Sequence, residues 1–345
     1  MRRAQVLNRQ RILLLSLSAA LTCIAQGSVA GTAARTVLDV IKVGGPDGWD
    51  YTTFDPATHT LYIAHGSAIA SVNAMTKAVT PHLADAQGAH IAAPYAGGSK
   101  LLVTHGKANQ VTLNDAKTGA VDATIPTDAK PDAALVEPTT GRGFVMANGG
   151  GTVDVIDLNS KAVIARIAVG GAPEAATFDG RGLVFTHLED HNALVVIDAK
   201  AMKVRATYPM SGCEEPSGIA AIPNKGLILS ACANQIARLT NATTGAEVAS
   251  LPLGKHPDSA FWDENRHLGY VPCGDGTLTV ISFKNDAAPV TEVVVTQAGA
   301  RTGAVDPATG FVYLPTAELG PPAKPGGHPS VVPDTLKVLV IGLRQ

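Results

Sequence analysis

The sequence predicts an all-β fold, a seven-bladed β-propeller of four-stranded blades. A short apolar segment recurs seven times at intervals of 39 to 44 residues, and similar strand-like segments flank each copy. The last copy lacks a fourth strand, which a segment near the N-terminus can supply. A period of about 40 to 45 residues with four short strands per unit is typical of β-propellers.

The recurring segment, here called the anchor strand, is an apolar run that ends in a small or polar residue. Its copies are LYIAHG (61–66), LLVTHG (101–106), FVMANG (144–149), LVFTHL (183–188), LILSAC (227–232), GYVPCG (269–274) and VYLPTA (312–317). A first strand precedes each copy and ends at a turn-forming residue, and a third and a fourth strand follow. The third and fourth strands are clearest in the third unit, at TVDVIDL (152–158) and AVIARIAV (162–169). Alternating apolar and polar residues and β-branched side chains favour strands there.

The two ends of the repeat array predict how the ring closes. The seventh unit stops after its third strand, TLKVLVIGL (335–343), so its fourth strand is missing. The segment TVLDVIKV (36–43) alternates apolar and polar residues and belongs to no unit. We expect it to pair with the last unit, because closure removes the sheet edges that an open array would expose.

Residues 1–30 have the pattern of a signal peptide that is removed from the mature protein. Four arginines precede the apolar run ILLLSLSAALTCIA (12–25), and Ser28-Val29-Ala30 is a small-x-small cleavage site. The run is short for a membrane span, so we expect no span in the mature chain. The prediction is export to the bacterial periplasm, with residues 31–345 forming a single propeller domain.

The composition argues against nucleic-acid binding. Loss of four arginines would take the formal charge from −2 to about −6, whereas nucleic-acid binding needs a basic face. Aromatic residues make up 4% of the chain, so Val, Ile, Leu and Ala must build the core. We expect a monomer that binds a small polar ligand or a periplasmic protein partner.

One unit resembles a known repeat family. The segment VDVIDLNSKAVIARIAVGGAP (153–173), with the preceding anchor strand, is similar to the YVTN β-propeller repeat, and residues 193–203 match it a second time. Histidine replaces the family's anchor Asn in three of the other units. The resemblance implies a YncE-like periplasmic propeller, and it implies little about chemistry because function resides in sites and not in the fold.

The antiparallel order of the strands predicts where a site would lie. The start of each first strand and the end of each anchor strand should meet on one face, around the mouth of the central channel. This places candidate ligand-binding residues from both sets there: Asp50, His90, Asp132, Glu174, Asp258 and Arg301 from the first strands, and His65, His105, Asn148 and His187 from the anchor strands. Imidazoles and carboxylates at a concave mouth suit a polar ligand or a divalent metal ion, with His105 and His187 as metal ligands.

A structural role for the anchor histidines is the competing interpretation. The anchor position in YVTN-type repeats is polar because it bonds the adjacent turn, and histidine can replace Asn there. No HxH or HExxH spacing supports a local metal site.

The cysteines offer two further interpretations. Cys213 precedes the fifth first strand and Cys232 ends the fifth anchor strand, so a disulfide between them is expected in an oxidising compartment. Cys273 is then left over, as a small buried residue. The alternative is a sulfur-rich metal site, for example for copper, that includes all three.

A proline-rich insertion, residues 317–334, separates the seventh anchor strand from its successor. Long loops in compact domains are often functional, and this one has two interpretations, a cover over the channel or a shield for the ring-closing seam.

Two functions remain open from the sequence. The favoured one is a non-catalytic binding scaffold that presents the mouth to a ligand or partner. The alternative is a metal-dependent hydrolase or lyase, similar to propeller lactonases, in which His, Asp and Glu hold the ion and activate water. The sequence contains no nucleophile elbow and no phosphate-binding loop.

Overall fold

The computed structural model of the protein describes residues 34–283, 288–322 and 329–344. These residues form seven four-stranded antiparallel sheets and one two-stranded sheet, so the predicted propeller is confirmed. The predicted signal peptide lies outside the described residues. Within them, no helix is long and apolar enough to cross a bilayer.

The first four blades each run outward from the channel in sequence order. Their strands are β2 Thr52–Asp55, β3 Thr60–His65, β4 Ala68–Asn73 and β5 Val79–Asp85; β6 Ala92–Tyr95, β7 Lys100–His105, β8 Gln110–Asp115 and β9 Val121–Pro126; β10 Pro131–Glu137, β11 Arg142–Ala147, β12 Thr152–Asp157 and β13 Ala162–Ala168; and β14 Pro173–Phe178, β15 Leu183–Leu188, β16 Ala193–Asp198 and β17 Lys203–Pro209. A 3₁₀ turn, Glu189–His191, joins β15 to β16.

The remaining three blades follow the same order until the ring closes. Their strands are β18 Pro216–Ile222, β19 Leu227–Cys232, β20 Ile236–Asn241 and β21 Glu247–Pro252; β22 Phe261–Asp263, β23 Leu268–Cys273, β24 Thr277–Ser282 and β25 Val290–Val295; and β26 Ala304–Val305, β27 Val312–Thr316, β30 Lys337–Leu343 and β1 Arg35–Lys42. The insertion contributes the separate hairpin of β28 Leu319–Pro322 and β29 Pro329–Val331.

The N-terminal strand closes the ring, as predicted. Strand β1 pairs antiparallel with β30 from Arg35 opposite Leu343 to Lys42 opposite Lys337, and it forms the outer edge of the last blade. The Arg35 guanidinium also lies 2.5 Å from the Glu292 carboxylate of β25, which ties the closing strand to blade six.

Burial along the strands explains the sequence pattern. Strands β11 and β12 are buried along nearly their whole length, because neighbouring blades cover both faces. Outer strand β13 instead alternates between exposed and partly buried residues. Seven apolar clusters fill the seven gaps between adjacent blades, such as the one that joins Phe144 and Met146 to Val184 and Val195. The apolar anchor run is therefore a consequence of burial on both faces.

Polar turns link the strands. Asp115 accepts hydrogen bonds from the backbone N–H groups of Lys117 and Thr118, and Asp157 binds the N–H groups two and three residues ahead in the same way. Such Asx turns satisfy backbone donors that a turn leaves free, which explains the repeated turn-forming residues in the sequence.

The first strands of blades six and seven are shorter than the sequence suggests. Strand β22 has three residues and β26 has two. The residues before them bond to the next blade: the Ser259 hydroxyl donates to the Arg301 carbonyl at 3.4 Å, and the Thr302 hydroxyl donates to the Asp50 carbonyl at 2.9 Å. These links lie at the mouth end of the channel and join adjacent blades.

Candidate functional site

Charged side chains from the starts of six first strands lie at the mouth of the channel. We call this group the mouth cluster: Asp50, His90, Asp132, Glu174, Asp258 and Arg301. His90 Nδ1 lies 2.6 Å from Asp50 Oδ2 and 2.9 Å from Asp132 Oδ1, and Arg301 Nε lies 2.6 Å from Asp258 Oδ2. The equivalent residue of blade five is Ser217, whose hydroxyl donates to the Pro257 carbonyl instead.

His90 is the positive centre of one half of the cluster. Burial opposes the charged imidazolium, but the hydrogen bonds and negative charges of Asp132 and Asp50 outweigh it and raise the pKa of His90 to about 10. Burial raises the pKa of Asp50, although its bond to His90 acts in the other direction. His90 is therefore a cation held between two carboxyl groups at neutral pH.

Asp132 and Glu174 form a carboxyl pair that shares a proton. Burial and the neighbouring Asp132 charge raise the pKa of Glu174 to about 10. Burial also disfavours the charged form of Asp132, but hydrogen bonds from His90 and Glu174 outweigh it and lower the pKa of Asp132. Glu174 thus holds the proton and Asp132 the negative charge, as expected for two carboxyl groups too close for both to ionise.

Tyr51 crosses the channel beneath this pair. It belongs to blade one, yet its hydroxyl lies 3.3 Å from Glu174 Oε1 on blade four. The tyrosine is buried and packs in an apolar cluster with Ala175 and Ile219 of blades four and five. It therefore forms the floor of the mouth.

Asn148 and Lys130 extend the cluster toward the rim. The Asn148 amide donates to Glu174 Oε2 at 3.3 Å, and the Lys130 ammonium donates to Asn148 Oδ1 at 3.1 Å. Of the four anchor-strand candidates, Asn148 is the one that bonds to the mouth cluster within the described hydrogen bonds.

The structure buries the three anchor histidines away from the cluster. His65 Nδ1 bonds to the Gly48 carbonyl at 2.9 Å, His105 Nε2 to the Thr112 hydroxyl at 2.9 Å, and His187 Nε2 to the Ser230 hydroxyl at 2.9 Å. Burial lowers the pKa of His105, and it lowers that of His187 to about 4. These contacts match the structural role that was the competing interpretation, because each of the three imidazoles is buried and bonds to groups of the protein.

The assignment of His105 and His187 as metal ligands stays a prediction, and their hydrogen bonds to Thr112 and Ser230 do not favour it. Within the described ranges, no group of three His, Cys, Asp or Glu side chains is arranged to hold a metal ion.

Cys213 and Cys232 form a disulfide, as the sequence predicted. Cys273 is a free thiol, and burial raises its pKa to about 11, which keeps it protonated. The disulfide removes two of the three sulfur ligands on which a sulfur-rich metal site depended.

The described part of the insertion contacts the ring-closing seam. Gly45, just beyond β1, and Asp334 exchange two hydrogen bonds, and Val331 packs against the apolar cluster that contains Trp49. These contacts favour the shield interpretation for residues 317–322 and 329–334; the rest of the insertion lies outside the described residues.

Sequence reasoning missed Tyr51 and Lys130. Tyr51 directly follows Asp50 in a chain that has few aromatic residues, and this was the available signal. No local pattern could show that its hydroxyl reaches a carboxyl group 123 positions away, because the diameter of the ring sets that distance.

No protein-family model matches the sequence, and no curated protein matches it. Many solved structures are similar in fold. One is in the crystal structure of a mitotic checkpoint complex, at 15% identity and a TM-score of 0.73, covering 97% of this chain and 99% of that chain. Another is the Kuenenia stuttgartiensis hydrazine synthase, at 18% identity and a TM-score of 0.67, covering 84% and 96%.

A third similar structure is the WD40 repeats of RRP9, at 12% identity and a TM-score of 0.74, covering 91% of this chain and 100% of that chain. At such low identity, the three likenesses show a shared architecture and leave the chemistry of the mouth to be argued from its own residues. The chain has the β-propeller fold.

Proposed function

We propose that the protein is a non-catalytic binding scaffold whose mouth cluster recognises a positively charged group on a polar ligand or a protein partner. The observation that carries the proposal is the convergence of ionisable side chains from six blades at one repeat position. Buried carboxyl groups elsewhere in the described residues, such as Glu137 and Asp263, instead accept hydrogen bonds from the backbone of their own turns.

The charge balance supports a cationic ligand. The cluster contains four carboxyl groups and two cations, His90 and Arg301, so with the other three carboxyl groups ionised its net charge is −1 while Glu174 keeps its proton and −2 without it. An ammonium or guanidinium group beside the Asp132–Glu174 pair would replace that proton and stabilise both carboxylates. Binding should therefore release a proton from Glu174.

The proposal extends to location and family. The disulfide fits an oxidising compartment, and the pattern of residues 1–30 fits export, so we infer that the protein works in a bacterial periplasm. The repeat grammar of residues 153–173 supports membership of the YVTN-repeat family. N-terminal sequencing of exported protein tests the location, with Gly31 as the expected first residue.

The binding test uses a tri-lysine peptide as the probe, with the same peptide acetylated at every amine as its uncharged match. Isothermal titration calorimetry at low salt and pH 8, in two buffers of different ionisation enthalpy, reports both affinity and proton release. Wild type should bind the charged peptide and release a proton. Glu174→Gln should bind without proton release, and Asp132→Asn should bind about tenfold more weakly, since a hydrogen bond to a charged group contributes roughly 1.5 kcal/mol or more.

Glu264→Gln is the matched control, because Glu264 is an exposed carboxyl group beyond the far end of β22, on the opposite face. It should bind as wild type does. Recognition by the mouth cluster would be contradicted if the acetylated peptide bound as tightly as the charged one. It would also be contradicted if Glu264→Gln weakened binding as much as Asp132→Asn. No detectable heat with any correctly folded variant would contradict it as well.

A further inference from the structure

A cavity of about 310 Å³ lies on the axis of the ring, and first-strand residues of all seven blades line it. Tyr51 contributes to its wall, while the hydroxyl of the same residue reaches Glu174 in the mouth. Tyr51 therefore separates the cavity from the mouth cluster. The cavity and the mouth cluster are therefore separate sites, and the described cavity wall lacks the charged side chains of the mouth.

Small side chains keep the cavity open. Ala176 lies on the innermost strand of blade four and Ala260 directly precedes that of blade six, yet both are only partly buried. Four more alanines belong to the wall: Ala133, Ala134, Ala175 and Ala304. Propeller blades surround a central channel, and here the small side chains of its wall leave a space large enough for a small molecule.

The wall selects for a neutral molecule. Among the described residues that line the cavity, none is charged, and the larger ones include Ile91, Ile219 and Phe261. Polar groups are few but present: Thr52 lies in the wall, and its buried hydroxyl has no hydrogen-bond partner within the protein. Rotation about its Cα–Cβ bond would turn that hydroxyl toward an occupant. The first strands are also inner sheet edges, whose backbone N–H and C=O groups can face the axis.

The cavity has a route to the surface away from the mouth. A second depression of about 510 Å³ shares Ile219, Ala260 and Phe261 with it and continues to Trp262 and Glu264. Trp262 and Glu264 follow Asp258 toward the opposite end of the channel. A ligand can thus approach from the face opposite the mouth cluster.

We propose that this cavity binds one neutral, largely apolar molecule of one or two rings that carries a hydrogen-bonding edge. A cavity of roughly 150 Å³ lined by apolar side chains accommodates benzene, so the larger space here suits a two-ring compound. The absence of charge in the described wall excludes ions, since an unpaired charge is costly to bury. The site does not depend on the mouth cluster.

The test follows 5-fluoroindole by ¹⁹F NMR, with 5-fluoroindole-3-acetate as the charged match that has the same ring and that the carboxyl groups of the mouth cluster should repel. Wild type should bind fluoroindole saturably at one molecule per chain, and the acetate should bind at least tenfold more weakly. Ala176→Leu and Ala260→Leu fill the cavity from two sides, and each should weaken fluoroindole binding at least tenfold. Two positions are used so that a folding failure of one leaves the other informative.

Ala168→Leu is the matched control, because Ala168 is exposed on outer strand β13. It should bind fluoroindole as wild type does. Binding that survives both filling substitutions in folded protein would overturn the proposal. So would tighter binding of 5-fluoroindole-3-acetate than of fluoroindole, or no saturable binding of fluoroindole to wild type.

Discussion

Replacement of His187 by Asn is the sharpest test of the structural role of the anchor histidines. His187 is completely buried, bonds the Ser230 hydroxyl of the next blade, and has its pKa lowered from 6.5 to about 4 by burial. We choose Asn as the replacement because blade three has an Asn, Asn148, at the equivalent position. The substitution removes the titration while keeping a polar side chain at the position.

The pH dependence follows from the direction of the shift. A histidine whose pKa is depressed in the folded state stabilises the fold above its unfolded pKa of 6.5, and this stabilisation is lost as the pH falls toward 4. Within that window, each pH unit changes the contribution of His187 to the free energy of unfolding by about 1.4 kcal/mol. Between pH 7 and pH 4.5, the free energy of unfolding of wild type should therefore fall by roughly 2 kcal/mol through this residue. At pH 7, His187→Asn should be less stable by about 1 to 3 kcal/mol, because it loses a buried hydrogen bond and leaves a void.

Urea unfolding followed by circular dichroism at both pH values measures the two effects. At pH 7, the free energy of unfolding of His187→Asn should be lower than that of wild type. On acidification to pH 4.5, it should fall by roughly 2 kcal/mol less than that of wild type. His82→Asn is the matched control, since His82 is exposed on β5 and pairs only with Asp85, and its decline should match wild type. An equal acid decline in wild type and His187→Asn would refute the structural account, as would a wild-type stability that a chelator lowers and the substitution abolishes.

Two further predictions concern the covalent and the non-covalent closures of the fold. Cys213→Ser should lower the free energy of unfolding by about 3 kcal/mol, as expected for a disulfide that joins residues 19 positions apart, and dithiothreitol should lower the urea midpoint of wild type but not of the variant. Deletion of residues 34–43 should expose the edge of β30, and size-exclusion chromatography should then show self-association. A peptide of those residues, added to the shortened protein, should restore monomeric elution. An unchanged elution after the deletion would show that β1 does not protect that edge.

The fold was predictable because its main signal is local and repeated seven times. Strands that are covered on both faces need an apolar run, and the turns between them need residues such as Asp115 and Asp157, so each blade repeats the same order of residue types. The pairing of β1 with β30 followed from counting strands, since a blade without its outer strand leaves an open edge.

The direction of individual side chains was not predictable from the same pattern. His65, His105 and His187 occupy equivalent backbone positions, yet one bonds a carbonyl group, one a hydroxyl of its own blade and one a hydroxyl of the next blade. These partners depend on how neighbouring blades pack, which a single repeat does not encode. The starts of the first strands were predictable because strand order alone fixes their position, whatever the side chain.

The separation between these two positions explains how such a fold can change its ligand. The anchor strands carry the interblade core, so a change there alters packing and stability, as the buried bond of His187 to Ser230 illustrates. The starts of the first strands lie at or beyond the end of the backbone hydrogen bonds of each sheet. In three blades, a Ser or Thr hydroxyl at or beside this position bonds the backbone of the next blade. In blades six and seven the links come from Ser259 and Thr302, which are neighbours of Asp258 and Arg301, so they remain when the charged residue changes; in blade five, Ser217 occupies that position and makes the link itself. The mouth cluster also joins blades through its own ion pairs, His90 with Asp50 and Asp132 and Arg301 with Asp258, so we expect a change of ligand to require paired substitutions there.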